Sequence, residues 1–275
     1  MSGADFFAKD LAPLALKKLW LFDMDGTLYE EGVLFDGALD LLWRIRAAGG
    51  EYVLLTNNSS RDVSAYVERV RGMGIDATAR DFYTSLDAAI ALLHRDHSGE
   101  LVYCLGTHTM VRGLRRANIR VTESAGDGAS VALIGYDTEL DYAKLRTACE
   151  VVTSGVPYYG TNCDLACPAS FGFVPDCGAI ARAIECATGR MPVFVGKPEA
   201  RMVLPLLDER NVRREDVVMV GDRLYTDIAL GTNAGIDSVC VLTGEATLES
   251  IADSDVNPTY VVDSVRVLAD VLLEA

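Results

Sequence analysis

The chain has 275 residues, half of them hydrophobic, and a formal net charge of −15. This length suits two domains with a sizeable core. The charge argues against nucleic acid as a bulk partner, because phosphate backbones repel such a chain. A phosphorylated metabolite remains compatible, since a few local cations and a metal can reverse the field inside a pocket.

The sequence shows no membrane or secretory pattern. Its longest apolar runs, such as residues 52–55 and 217–220, have the length of strands, which argues against a membrane protein. Asp5, Lys9 and Asp10 interrupt any apolar stretch at the start of the chain. We therefore expect a cytoplasmic protein with no membrane partner.

The seven cysteines are an odd number, which together with the lack of an export pattern favours free thiols over a disulfide framework. Cys163, Cys167 and Cys177 are close in sequence and raise the question of zinc. They lack the paired spacing of standard zinc sites. We interpret them as small, partly buried residues of a loop.

The first part of the chain predicts alternating strands and helices. Residues 18–23 are predicted as a buried strand and residues 52–56 as a second. Asp36 is predicted to cap the helix between them, whose apolar face would hold Leu39, Leu42, Trp43 and Ala47. A second helix is predicted from residue 63 to Gly72. This βαβα pattern is typical of a parallel sheet covered by helices.

The rest of the chain predicts two further groups of elements. Near the end, strands are predicted at 193–195, 217–220, 238–242 and 260–262, with a helix from Asp227 to about Gly231. The middle has strands of its own at 101–105, 131–134 and 157–160, and a helix at 137–150. We predict an α/β fold in which residues 1–80 and 175–275 form one domain and residues 81–174 an inserted α/β domain.

Four short polar motifs follow predicted strands. The carboxyl ends of parallel strands lie along one edge of a sheet, where ligands bind, so motifs far apart in sequence would converge there. The motifs are Asp23-Met24-Asp25-Gly26-Thr27, Thr56-Asn57-Asn58, Gly196-Lys197-Pro198, and Gly221-Asp222 with Asp227.

Such a site suits phosphate chemistry. A carboxylate that attacks a phosphate dianion needs cations to offset the repulsion. Asp23 and Asp222 offer hard oxygen ligands for Mg²⁺, and Lys197 adds a second positive charge. Thr56 and the backbone amides after it can donate to phosphate oxygens. Asp25 can protonate the leaving oxygen and later take a proton from water.

Each motif alone has a simpler interpretation. Asp-x-Asp-Gly is often a plain turn, Thr-Asn-Asn often caps a helix, and Gly-Lys-Pro is usually a solvated turn. Asp-x-Asp-Gly also begins calcium loops, but Leu28 stands where such a loop requires glycine. The combination, in this order and each time at a strand end, is far more specific than any single motif.

The chain resembles the haloacid dehalogenase superfamily of phosphatases over nearly its whole length. The four motifs above match the four motifs of that family in order. Further stretches resemble the branch that contains NagD-type nucleotide phosphatases, p-nitrophenyl phosphatases, phosphoglycolate phosphatases and pyridoxal phosphatases. These stretches are Thr56-Asn57-Asn58-Ser59-Ser60, Gly135-Tyr136-Asp137, Thr161-Asn162-Cys163-Asp164 and Val195-Gly196-Lys197-Pro198.

The resemblance implies a Rossmann-like core with a C2-type cap formed by residues 81–174. Asp23 would be the nucleophile and a metal ligand, and Asp25 the acid/base, which also binds the metal through its main-chain carbonyl. Asp222 would be a metal ligand, and Asp227 would orient a metal-bound water or Lys197. Phosphate would be held by four residues: Thr56, Asn57, Asn58 and Lys197. The branch often dimerises through the cap, which implies a homodimer here.

The cap loop after Thr161 departs from some relatives. Cys167 stands where pyridoxal-phosphate relatives place a histidine, which argues against that substrate. Residues 165–173 are largely apolar and contain no Arg or Lys to bind a second phosphate or a carboxylate. The candidates for contact with the leaving group are Asn162, Asp164, Cys167 and Phe171; the alternative is that these residues only pack the cap.

The sequence thus predicts a Mg²⁺-dependent phosphatase for a small metabolite such as a sugar phosphate or a nucleoside monophosphate. A phosphotransferase or phosphomutase would use the same Asp23 chemistry but pass the phosphoryl group to a hydroxyl instead of water. A non-catalytic phosphate-binding module is the third alternative, against which the presence of both Asp23 and Asp25 argues.

Overall fold

The computed structural model describes residues 3–274 of the chain. Its strands, in chain order, are β1 (Leu19–Phe22), β2 (Tyr29–Glu30), β3 (Val33–Leu34), β4 (Glu51–Thr56), β5 (Phe82–Thr84), β6 (Leu101–Leu105), β7 (Arg120–Thr122), β8 (Val131–Ile134), β9 (Tyr158–Gly160), β10 (Ala166–Ala169), β11 (Gly172–Pro175), β12 (Val193–Phe194), β13 (Val217–Gly221), β14 (Asp237–Val241) and β15 (Tyr260–Val262).

The helices alternate with these strands along most of the chain. In chain order they are α1 (Ala38–Ala47), α2 (Val63–Gly72), α3 (Ser85–Asp96), α4 (His108–Arg116), α5 (Tyr142–Thr153), α6 (Cys177–Thr188), α7 (Leu204–Arg210), α8 (Ala229–Ala234), α9 (Leu248–Ala252) and α10 (Val265–Glu274). A π-helix, Leu224–Ile228, directly precedes α8.

The chain divides into two compact units. The core unit comprises residues 1–56, 63–83 and 197–275, and the cap unit comprises residues 57–62 and 84–196. The predicted inserted domain, residues 81–174, therefore differs from the cap unit at both of its ends. The short segment 57–62, which directly continues β4, is a part of the cap unit that the sequence did not predict.

The core unit is built on a six-stranded sheet of order β15-β14-β13-β1-β4-β5. The pairings from β15 across to β4 are parallel. Strands such as β1 and β13 are buried at every residue, as expected where helices cover both faces of a parallel sheet. The predicted α/β class with a parallel sheet is confirmed.

The cap unit has a parallel sheet of its own, of order β12-β9-β8-β6-β7. The antiparallel hairpin β10-β11 follows β9 in the chain. Buried side chains from α5 and α6 pack with those of β8 and β9 in one apolar cluster, and α3 and α4 contribute to another with β6. This unit therefore has its own hydrophobic core.

The end of the cap unit differs from the sequence prediction. Residues 193–195 were expected to form a strand of the core sheet, but β12 pairs with β9 of the cap sheet. Helix α6 packs against α5 in the same unit. Residues 175–196 therefore belong to the cap unit, because their apolar faces are buried there.

Helix α1 differs from its prediction in both its cap and its buried face. Gly37, not Asp36, occupies the N-cap position, with φ +82° and no side-chain cap bond. The buried residues are Ala38, Leu41, Leu42 and Ile45, so only Leu42 of the predicted apolar face is buried. Trp43 is 68% exposed. The error is one of helical phase, because the large apolar Trp43 suggested a core position.

Two other helices begin or end later than predicted. Helix α5 begins at Tyr142 rather than 137, because the Asp141 side chain accepts from Lys144 N and caps it there. Helix α8 extends to Ala234 and ends at Gly235, whose φ is +67°. Within residues 3–274, no helix combines the length and the apolar character that crossing a membrane requires.

Candidate active site

Three of the predicted motifs meet at one edge of the core sheet. Strand β1 pairs in parallel with β4 on one side and β13 on the other. Asp23 directly follows β1, Thr56 is the last residue of β4, and Asp222 directly follows β13. The Asp23 N–H donates to Val220 O at 2.9 Å, which continues the ladder to the strand end. These side chains therefore stand at the carboxyl edge of the sheet, where ligands bind.

Lys197 joins two carboxylates at this edge. Its Nζ lies 2.5 Å from Asp23 Oδ1 and 2.7 Å from Asp227 Oδ1. The Lys197 side chain is 5% exposed and that of Asp227 is fully buried. Burial alone would lower the pKa of Lys197, but the charges of Asp227 and Asp23 outweigh burial and raise this pKa above its ordinary value. The ammonium is therefore charged at neutral pH.

The π-helix after β13 brings Asp227 back under the strand end. Its Oδ2 accepts from Arg223 N at 3.2 Å, and its Oδ1 accepts from Lys197. A Cβ at Gly221 would lie 2.3 Å from Asp227 Cβ, so only glycine permits this approach. The Gly221-Asp222 pair and Asp227 of this motif therefore lie close together.

Asp222 is held in a tight backbone pocket. A Cβ at Gly26 would lie 2.6 Å from Asp222 Oδ2, and one at Gly244 would lie 2.0 Å from the same atom. Thr27 Oγ1 donates to Oδ1 at 3.2 Å and Glu245 N donates to Oδ2 at 2.9 Å. These contacts fix the orientation of a carboxylate that is only 2% exposed.

The three aspartates form a cluster of oxygen ligands. One carboxylate oxygen from each of Asp23, Asp222 and Asp227 lies within 4.8 Å of the others. Burial, followed by the charge of Asp23, raises the pKa of Asp222. A cation beside these oxygens would relieve their repulsion, and an all-oxygen set suits a hard cation such as Mg²⁺. Within residues 3–274, it is the one such acidic or thiol cluster.

Asp25 is directed toward helix α2. Its Oδ1 accepts from Arg69 Nη2 at 3.1 Å and its Oδ2 from Tyr29 Oη at 3.4 Å, and the guanidinium lies 4.9 Å from the centre of the Tyr29 ring. Burial raises the pKa of Asp25, and Arg69 opposes this shift. Asp25 is thus a carboxyl group near the three-aspartate cluster. Burial increases the proton affinity of this carboxyl group, and Arg69 decreases it.

The remaining phosphate-motif residues lie in the cap unit. Asn57 Nδ2 donates to Asp164 Oδ2 at 2.9 Å. Asn58 Oδ1 accepts from both N and Oγ of Ser60, at 2.9 and 2.7 Å, in a local turn. Ser59 Oγ lies 3.0 Å from Thr161 Oγ1. The segment after β4 is therefore fixed by side chains of the cap unit.

The four candidates for leaving-group contact have very different environments. Asn162 is fully buried, and its amide bonds to protein groups on both sides. Asp164 is partly buried and holds Asn57. Cys167 lies half-buried on β10, where burial raises the pKa of its thiol. Phe171, at the tip of the hairpin β10-β11, is 79% exposed. Among the four, Phe171 is exposed, Asp164 and Cys167 are partly buried, and Asn162 is buried.

Several residues at the site were not found from the sequence. Gly244 and Glu245 follow strand β14, so the strand-end rule that found the other motifs could have found them too. Arg69 and Tyr29 gave no signal, because an arginine on an amphipathic helix and a tyrosine in a turn have no distinguishing pattern. Ser85, whose Oγ donates to Asn57 O at 2.6 Å, is the first residue of α3 and its sequence context indicates only an ordinary helix start.

Comparison with known proteins identifies relatives over most of the chain. A family model described as haloacid dehalogenase-like hydrolase matches residues 20–120, and one described as HAD-hydrolase-like matches residues 194–268. The acid sugar phosphatase of Staphylococcus epidermidis is 33% identical over 241 residues, which cover 88% of this chain and 92% of that protein.

Solved structures show the same architecture. The 4-nitrophenylphosphatase of Thermotoga maritima has a TM-score of 0.88 at 34% identity, over 94% of this chain and 98% of that one. The glycerol phosphate phosphatase of Mycobacterium tuberculosis, solved in complex with magnesium, has a TM-score of 0.87 at 26% identity, over 93% of this chain and 78% of that one. The chain therefore belongs to the haloacid dehalogenase-like hydrolases, within the branch of NagD-type and p-nitrophenyl phosphatases, and is a hydrolase of phosphoric monoesters.

Proposed function

We propose that this chain hydrolyses a small sugar-like phosphate monoester with Mg²⁺, by way of a phosphorylated Asp23. The observation that carries the proposal is the position of Lys197, whose ammonium contacts the carboxylates of Asp23 and Asp227 at the edge of the sheet. A carboxylate can attack a phosphate dianion only where cations offset their repulsion. Lys197 supplies one fixed positive charge at that point.

In the first half-reaction, a carboxylate oxygen of Asp23 forms a bond to phosphorus while the bond from phosphorus to the leaving oxygen breaks. Asp25 gives its proton to that oxygen, so the leaving group departs as an alcohol. The raised pKa of Asp25 supports this role, because it increases the fraction of the carboxyl group that carries a proton.

In the second half-reaction, water attacks the phosphorus of phosphorylated Asp23. Asp25, now a carboxylate, takes the proton of the attacking water, and the bond between phosphorus and the Asp23 oxygen breaks. Inorganic phosphate leaves and both aspartates return to their starting states. Lys197 stays paired with Asp227 throughout, which keeps its ammonium beside Asp23.

The donor set supports Mg²⁺ as the cofactor. Asp23, Asp222 and the main-chain carbonyl of Asp25 would hold it, with Asp227 behind them. Bound there, the cation would neutralise charge between the Asp23 carboxylate and the phosphate. The three carboxylate oxygens within 4.8 Å of one another fit this use. The relative from Mycobacterium tuberculosis was solved with magnesium.

Phosphate recognition falls to four residues. Thr56 supplies a hydroxyl, Asn57 and Asn58 supply backbone amides, and Lys197 supplies charge. Because these groups touch only the phosphate, discrimination among substrates depends on the cap, where the half-buried Cys167 and the exposed Phe171 are candidates. The names of the relatives, acid sugar phosphatase and glycerol phosphate phosphatase, support a polyhydroxylated leaving group.

The proposal is tested by a screen of phosphorylated metabolites with purified protein and Mg²⁺. Sugar phosphates, glycerol phosphates and nucleoside monophosphates are compared for release of inorganic phosphate. We expect sugar or polyol phosphates to give the highest kcat/KM. Transfer of the phosphoryl group to an added sugar, without matching phosphate release, would identify a phosphotransferase instead. Sedimentation of the same sample tests the expected homodimer through the cap.

A further inference from the structure

The Asn162 side chain is fully buried and bonded to other residues of the cap unit. Its Nδ2 donates to Asn57 O at 2.8 Å and to Asp176 Oδ1 at 3.3 Å, and its Oδ1 accepts from Asp164 N at 3.0 Å. Both donor hydrogens of this amide are thus used inside the cap unit, and its oxygen accepts one bond there. The expectation that Asn162 contacts the leaving group does not fit this position.

Asn57 is the residue on which these contacts converge. Its backbone oxygen accepts from Asn162 Nδ2 and also from Ser85 Oγ at 2.6 Å. Its side-chain Nδ2 donates to Asp164 Oδ2 at 2.9 Å. Three side chains from the start of α3 and the loop after β9 therefore fix both the main chain and the side chain of Asn57.

The contacts that hold the Asn57 carbonyl also hold the Asn58 N–H, which belongs to the same peptide unit. A trans peptide unit is planar, so its C=O and the following N–H point in opposite directions. Two donors on Asn57 O therefore orient the Asn58 N–H away from Ser85 and Asn162. That N–H is one of the backbone donors assigned to phosphate above, so its direction matters for binding.

Asn57 also lies against the residue before Lys197. A Cβ on Gly196 would lie 2.6 Å from Asn57 Oδ1 and 2.4 Å from Thr161 O, and Gly196 N donates to Thr161 O at 2.8 Å. The absence of a side chain at Gly196 thus lets two segments assigned to phosphate binding pack together. The Asn57 side chain is held between Asp164 and Gly196.

We propose that Asn162 and Asp164 are positioning residues for phosphate binding, which act through Asn57, and are not contacts to the leaving group. The proposal rests on the proposed function, because it assumes that the segment 56–58 binds the phosphate. It predicts a uniform effect: loss of either side chain weakens binding of the phosphate group, which every substrate shares, and leaves discrimination among leaving groups unchanged.

The test is a double-mutant cycle with Asp164→Ala and Asn57→Ala. The readouts are kcat/KM for p-nitrophenyl phosphate and for one sugar phosphate, and the inhibition constant of inorganic phosphate. In the wild-type background, Asp164→Ala should lower both kcat/KM values by the same factor of about ten and raise the inhibition constant. In the Asn57→Ala background, Asp164→Ala should change each kcat/KM and the inhibition constant by less than about twofold, because the Asn57 side chain that bonds to Asp164 is already absent.

Two further variants keep the test informative if a double variant folds poorly. Asp164→Asn retains an acceptor oxygen for Asn57 and should restore activity to within about twofold of wild type. Asp127→Ala is the matched control, because it removes a cap-unit carboxylate that accepts from the Thr122 hydroxyl. It should leave all three readouts unchanged.

The outcomes separate the inference from the function on which it rests. If Asp164→Ala changes the ratio of kcat/KM between the two substrates, Asp164 is a specificity residue and the inference is wrong. If Asp164→Ala has the same effect with and without the Asn57 side chain, Asp164 does not act through Asn57 and the inference is wrong as well. If Asp164→Asn is as impaired as Asp164→Ala, the inference is also wrong. If the wild type releases phosphate from no substrate, the proposed function itself fails, and the inference fails with it.

Discussion

The Asp23 carboxylate and the Lys197 ammonium lie 2.5 Å apart, although 174 positions separate them in the chain. Lys197 also contacts the buried Asp227, and Asp222 completes the cluster. Three carboxylates and one ammonium leave a formal charge of −2, which one divalent cation balances. The formal charge of these side chains therefore matches a metal ion of charge +2 at this edge of the sheet.

Asp23→Asn should abolish turnover while the fold survives. The amide cannot act as a nucleophile toward phosphorus, and we expect a loss of at least about 10³-fold in kcat. Phosphate release with Mg²⁺ measures the loss, and thermal unfolding checks the fold. Asp208→Asn, on the exposed side of α7, is the control and should retain full activity. Substantial residual hydrolysis by Asp23→Asn would exclude the covalent route.

Lys197→Met should impair both stability and activity. It leaves the fully buried Asp227 carboxylate without its ammonium, so we expect a loss of about 3 to 5 kcal/mol in the free energy of unfolding. Adding Asp227→Asn removes the unpaired charge and should recover part of this stability without restoring activity. Urea unfolding and phosphate release measure the two effects. Equal stability of the single and double variants would contradict this account of the ion pair.

Mg²⁺ should stabilise the protein as well as activate it. A ligand that binds only the folded state raises the free energy of unfolding, by about 2.7 kcal/mol at a concentration a hundred times its Kd. We expect Mg²⁺ to raise Tm in the wild type and in Asp208→Asn, and to raise it much less in Asp222→Asn. Ca²⁺ should also raise Tm but support little turnover, because its looser shell fits in-line geometry less well. Full activity in chelator-treated protein would show that the site needs no metal.

Asp176 should make stability fall as pH rises. Burial raises the pKa of its carboxyl from 3.8 to about 6, so the folded state binds this proton more tightly than the unfolded state does. Its contribution is therefore favourable at acid pH and is lost as pH rises toward about 6. Asp176→Asn keeps the cap of α6 without titrating.

Urea unfolding at about pH 5 and about pH 7.5 measures this effect. From the lower to the higher pH, the free energy of unfolding should fall by about 1 to 1.5 kcal/mol more in the wild type than in Asp176→Asn. The comparison cancels the titration of other groups, because both proteins share them. Parallel pH dependences in the two proteins would show that the pKa of Asp176 is not raised by folding.

Cys167→His should change substrate preference without changing the chemistry. Cys167 lies on the hairpin whose tip carries the exposed Phe171. The ratio of kcat/KM among several substrates is the informative measurement, because a general loss reports only damage. We expect this ratio to shift in Cys167→His and in Phe171→Ala. Fixed ratios in both variants would place specificity elsewhere in the cap.

Three motif residues of the core could be found from the sequence because Asp23 and Asp222 directly follow buried strands and Thr56 is the last residue of one. A run such as residues 217–220 predicts the strand, and the parallel βα pattern then sets which edge receives Asp23, Asp222 and Thr56. No contact had to be known in advance. The placement of Asp23, Thr56 and Asp222 at one edge is therefore a consequence of topology that local patterns can indicate, whereas Lys197 follows β12, which pairs with β9 of the cap sheet.

What could not be predicted depends on packing between distant segments. The strand β12 has the same apolar composition as a core strand, and only its pairing with β9 assigns it to the cap unit. Asn162 was a candidate for contact with the leaving group because it lies in the cap loop after Thr161. In the structure it is buried and donates to Asn57 O, 105 positions away, and no local pattern encodes that contact.

The assignment of residues 57–62 to the cap unit has a practical consequence for protein engineering. The chain passes between the units at four points, so the cap is not a simple insertion that can be cut out at two positions. A chimera that transplants only residues 84–196 would leave Thr161 and Thr107 facing a foreign segment in place of Ser59 and Ser60. Exchange of caps between relatives should therefore carry the hexapeptide 57–62 with the larger piece.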